Sequence, residues 1–159
     1  MTELFDNYSS IIVFLHVISA VLWVGGMLAI RFAVHYSMQD ITDPKIKLGR
    51  TLESLRRFFN MVIPAIILIL ITATIMIVAL NLKESTLYNL VMVKEIVLTI
   101  MTIIFITIYI KRNKASKAFE SGNLPAAKKQ LEPIAKYFIP LNIILGIIAI
   151  FLGVTLRGF

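Results

Sequence analysis

Three stretches without a single Asp, Glu, Lys or Arg dominate the chain: residues 11–30, 58–82 and 137–156, of 20, 25 and 20 residues. At a rise of about 1.5 Å per residue, roughly 20 helical residues cross the ~30 Å hydrocarbon layer of a bilayer. Composition points the same way. Apolar residues make up 58% of the chain and charged residues 16%, where ordinary soluble chains carry about 25% charged residues. A water-soluble domain of 159 residues could not hide so much apolar surface, because small domains keep a large share of their area wet.

A fourth run, residues 86–110, has the length but holds Lys94 and Glu95. Its charge-free part after them would cover only about 22 Å as a helix. A half-span there would place termini and basic segments on conflicting sides, so the run is read as a full span. The expected fold is therefore an all-α membrane protein, a four-transmembrane-helix bundle forming one domain over residues 1–159.

Basic residues set the expected orientation. The connection 31–57 carries Arg31, Lys45, Lys47, Arg50, Arg56 and Arg57. The connection 111–136 carries Lys111, Arg112, Lys114, Lys117, Lys128, Lys129 and Lys136. On the opposite side stand only Lys83 and Arg157, with Glu3 and Asp6 near the N-terminus. The positive-inside rule puts both basic connections in the cytoplasm and both termini outside. The net charge of +7 is then a collar beside anionic headgroups, and no nucleic-acid partner is needed to explain it. No cleavable leader is expected, since the first run is long and its leader is acidic. With no cysteine, disulfides, thiolate metal sites and cysteine nucleophiles are excluded.

Both connections read as partly helical. Asp43-Pro44 resembles a helix cap with proline at the first helical position. Ser121-Gly122-Asn123 breaks the second connection, Pro125 starts an amphipathic stretch, and Pro133 predicts a kink or break within it.

Polar residues inside the spans are the candidates for chemistry. His16, Ser19, Trp23, Gly26 and Ile30 recur at steps of three and four, so they share one helix stripe. Such a stripe belongs against other helices and not against lipid. Depth adds a second grouping. His16 lies near the outer end of its span, Lys94, Glu95 and Met92 descend from the same side, and Met76 rises toward it. One layer would gather an imidazole, two thioethers, an ammonium and a carboxyl group. Histidine and methionine are axial ligands of haem iron, and thioethers also suit cuprous copper. Each residue also has a plainer role: His16 as a helix-to-helix bond, methionine as apolar filler, Lys94 reaching out to headgroups. Adjacent positions diverge by about 100° on a helix, so Lys94 and Glu95 are not expected to pair.

The segment Leu15-His16-Val17-Ile18-Ser19-Ala20-Val21-Leu22-Trp23-Val24-Gly25-Gly26-Met27 resembles the opening signature of the copper-resistance D (CopD-like) membrane family. The likeness continues through Arg57-Phe58-Phe59 and Pro64, then Gly122-Asn123-Leu124-Pro125-Ala126-Ala127, and Leu141-Asn142-Ile143-Ile144-Leu145-Gly146. A more distant similarity is to the HemJ-type protoporphyrinogen oxidases, which share a four-helix core, a first-helix histidine and a tryptophan-glycine stretch. These resemblances imply a bacterial inner-membrane protein that handles copper, or one that holds a b-type haem and acts as an oxidoreductase. His16 carries over to both. Where some relatives have a third-helix histidine, this chain has Leu90, or Met92 with a shift of two, and Lys94 is similar to a third-helix lysine of the oxidases.

Two function classes follow, with a third beside them. In the first, His16 and Met92 ligate haem b for electron transfer, with Ser19, Trp23, Gly26 and Lys94 around the cofactor. In the second, His16, Met76 and Met92 hold copper. The third is a structural subunit of a larger membrane complex, or of a redox partner's assembly, whose site has decayed.

Overall fold

A computed structural model describes residues 2–81 and 87–156. Among them there is no strand, and four helices are long and apolar enough to cross a membrane. Helix α1 runs over Thr2–Ala29 and continues through a wide π turn, Ile30–Val34, into His35–Ser37. Helix α2 is Pro44–Ala79, and α3 is Tyr88–Glu120. Helix α4 is built of Leu124–Pro133, a π turn over Ile134–Phe138, and Ile139–Leu156. Expected Lys83 and Arg157 fall outside the described residues, as does the start of the 86–110 run.

The helices alternate in direction, so α1 begins and α4 finishes at one end, and the basic residues gather at the other. α1 packs along α2, α3 along α4, α1 also against α4, and α2 touches α3 more sparsely than any of these pairs. The inward sides carry Trp23, Val24, Met27, Phe59, Val62, Met101, Phe105, Ile108 and Ile143. The outward sides carry Phe14, Val17, Ile67, Ile71, Ile96, Ile103, Ile144, Ile147 and Phe151, all exposed. A helix apolar all round is the pattern of a membrane span, buried on one side in protein and on the other in lipid. The protein is thus a multi-pass membrane protein whose apolar belt suits contact with a bilayer.

The connections are helical in large part, as expected. They are extensions of the spans themselves. The Asp43 carboxylate accepts from the backbone N–H of Lys45 (2.7 Å) and Ile46 (3.1 Å), satisfying the first free donors of α2. From that cap α2 runs 36 residues, about 54 Å, well beyond the ~30 Å apolar layer. Asn123 caps the start of α4 the same way, accepting from the Ala126 N–H at 3.0 Å. Gly122, at φ +78°, makes the reversal between α3 and α4 without strain. Buried Leu52, Leu55, Ala115, Ala127, Leu131 and Ile134 join α2, α3 and α4 into a core beyond the apolar belt. Pro133 does not break α4. Its missing donor is followed by the π turn, whose wider hydrogen bonding lets the helix continue.

Candidate functional site

Toward the end where α1 begins, the four helices part around a cavity of about 350 Å³. Trp23, Val24, Ile69, Met101 and Gly146 form its floor, and His16, Met76, Lys94, Glu95, Ala149 and Gly153 its walls. Below the floor, aromatic rings stack edge to face: Trp23 on Phe105 at 6.0 Å between centroids, and Phe105 on Phe59 at 5.2 Å. These pairs fix the indole and close the cavity toward the basic end.

His16 is held from behind. Its Nδ1 lies 2.9 Å from the Thr72 hydroxyl of α2. That hydroxyl has one hydrogen, and it donates it to the Leu68 carbonyl at 2.7 Å, with the Ile69 carbonyl at 3.1 Å. The oxygen is left to accept, so the ring donates from Nδ1–H, and the Ile69 carbonyl is a further acceptor beside the ring. The tautomer so assigned leaves Nε2 with a bare lone pair, on a side chain that lines the cavity. A hydrogen bond on the far nitrogen is how proteins orient a ligating imidazole.

Lys94 reaches across to α4. A Cβ placed on Gly153 would lie 3.0 Å from the Lys94 ammonium nitrogen, so glycine gives the lysine head its room here. Gly146 serves α1 similarly, since a Cβ there would meet Val24 Cγ2 at 2.6 Å. Lys94 and Glu95 do not pair, as their angular separation requires, and among the described residues the ion pairs are those of Glu53 with Arg56 and Arg57.

The residues proposed from sequence divide. His16, Trp23, Met76 and Lys94 meet at the cavity, together with Glu95. Ser19 is buried but does not line it. Gly26 lies past the floor, where a Cβ would sit 2.7 Å from Phe58 Cε2, so it seats α2 against α1. Met92 stands apart, 40% exposed on the outer flank of α3, because the cavity-facing stripe is Val91, Lys94, Glu95, Leu98 and Met101. That position separates it from His16 and Met76. Thr72, Gly153 and Glu95's place between two helices are additions of the structure. The spacing Ile69-Thr72-Met76 was the available sign for Thr72, since it puts the hydroxyl on one stripe with a cavity residue.

Among the described residues no group of three or more His, Asp or Glu side chains is arranged to hold a metal ion. No protein family, curated protein or solved structure matches the chain.

Proposed function

We propose that the chain is an inner-membrane electron-transfer protein whose cavity takes a b-type haem, with His16 as the protein's axial ligand. The observation that carries this reading is the imidazole held at Nδ1 by Thr72, on a side chain that lines a mostly apolar cavity, with Nε2 left as the nitrogen for a ligand. The other wall residues suit the same group. Met76 offers a thioether from α2, in place of the outward-facing Met92. Lys94 supplies a cation for the carboxylates a haem carries, and Gly153 leaves its head room against the α4 wall. At about 350 Å³ the cavity lies at the lower end of the range for small-molecule sites. When bound, the iron would accept and return one electron. The chain's own residues fix the ring's orientation, exclude water through the aromatic floor, and neutralise the cofactor's acid groups.

Copper is the second reading. It has His16 and Met76 on the cavity but lacks the third donor that Met92 would bring, so the donor set favours haem. The orientation follows from the thirteen basic residues of the extended end, which belong in the cytoplasm.

The test is a reduced-minus-oxidised spectrum of detergent-purified protein after haem supplementation. Cytochrome b bands that vanish in His16→Ala and persist in Met92→Leu support the reading. No bands, or bands indifferent to His16→Ala, would reject it.

A further inference from the structure

Alongside the cavity runs a second hollow, a groove of about 410 Å³ between α2 and α3. Leu70, Thr74, Thr99, Thr102 and Ile103 line only the groove, while Ala73, Ile77, Glu95 and Leu98 line groove and cavity alike. The two spaces therefore share a wall, and Glu95 stands on it.

The polar groups of this groove are all of one kind. Each threonine hydroxyl donates its hydrogen to the carbonyl four residues earlier: Thr74 to Leu70, Thr99 to Glu95 and Thr102 to Leu98, each at 2.8 Å. Such back-bonding is ordinary for threonine in a membrane helix, but it leaves each oxygen with lone pairs only. The Glu95 side chain makes no hydrogen bond or ion pair with any described residue, and the residue is exposed. A carboxyl group carries acceptor oxygens in either protonation state. An exposed acidic side chain at membrane depth is costly unless something bonds to it. The groove thus presents a row of acceptors to the acyl region and asks for a lipid-soluble molecule that donates hydrogen bonds at more than one point. A hydroquinone head meets these demands: it is small, dissolves in the bilayer with its tail, and carries two phenolic O–H donors.

We infer that the α2–α3 groove is a binding site for a bilayer-dissolved hydroquinone, entered sideways from the lipid, with Glu95 and Thr99 accepting from its hydroxyl groups. A hydroquinone there would lie one wall away from the cavity. Its binding does not rest on the haem reading above.

The experiment uses haem-free protein in nanodiscs and a radiolabelled short-tailed hydroquinone, with its dimethyl ether as a probe of nearly the same shape that has no donor. Retention is measured against empty nanodiscs. Saturable binding of the hydroquinone, at least several-fold tighter than the ether, is expected. Thr99→Val, which touches the groove and not the cavity, should weaken it by roughly fivefold, the worth of one hydrogen bond. Glu95→Leu, which lipid tolerates better than the native residue, should weaken it by tenfold or more. Equal retention of the two probes, or hydroquinone binding unchanged in both variants, would overturn the assignment and leave a lipid-filled crevice. Because the readout contains no haem, failure of the spectrum and failure of this binding are separate results.

Discussion

Replacing Thr72 with valine removes one oxygen and keeps the shape, so it isolates the hydrogen bond behind His16. In the native protein the ring N–H meets the Thr72 hydroxyl at 2.9 Å, with the Ile69 carbonyl beside it. With that carbonyl still at hand, the loss should be about 1 kcal/mol of stability, rising toward about 3 kcal/mol if the N–H is left unpaired. The effect on the free nitrogen should be larger. Without its anchor the ring can rotate or move its proton to Nε2, and loss of such a supporting bond typically lowers ligand affinity by about 10–100-fold. Thr72→Ser keeps the oxygen and should restore most of both. The assay is ¹⁵N NMR of imidazole-labelled protein, with His35→Asn to remove the second histidine signal, beside a haem titration. Native protein should show a protonated Nδ1 and a bare Nε2 at His16. A native spectrum with the proton on Nε2 would refute the reasoning, because the hydroxyl would then be the donor and the ligating nitrogen would be blocked.

Other substitutions test the packing that frames the site. Gly146→Ala drives a methyl to within 2.6 Å of Val24 Cγ2, and a β-branched neighbour in a helix has no free rotamer to escape into, so a loss of about 1–3 kcal/mol is expected in detergent unfolding. Gly26→Ala meets the Phe58 ring edge and the flexible end of Met61, and should be the milder of the two. Asn142 is fully buried with both amide atoms unpartnered. Asn142→Leu should therefore raise the unfolding midpoint, and a drop would mean the amide has a partner in the membrane-embedded protein. Because the chain lacks cysteine, single cysteines at Asn7 and Lys128 report orientation directly. An impermeant thiol reagent applied to intact cells should label the first and spare the second.

The four spans were legible because their signal is one-dimensional: an unbroken apolar run means the same thing whatever it packs against. The extended end was half legible. Asp43-Pro44 marked where α2 starts, but the helical continuation from there into the span depends on burying Leu52 and Leu55 against α3 and α4, which no local pattern announces. The site divides along the same line. His16 and Lys94 stood out because polar groups in an apolar run are conspicuous, and their depth follows from counting residues. Met92 and Met76 differ in rotation and not in depth, and rotation is set by which face of α3 and α2 turns inward. Thr72 looks like Thr74, Thr99 and Thr102 in the sequence. Only the approach of α1 across 56 positions makes it a partner of the histidine.

Trp23 is the chain's one tryptophan, almost wholly enclosed, and it forms part of the cavity floor. Every photon of indole fluorescence from this protein therefore originates at that single spot. Whatever enters the space beside it can be followed by the dimming or colour of native emission, with no label attached and no other indole to subtract.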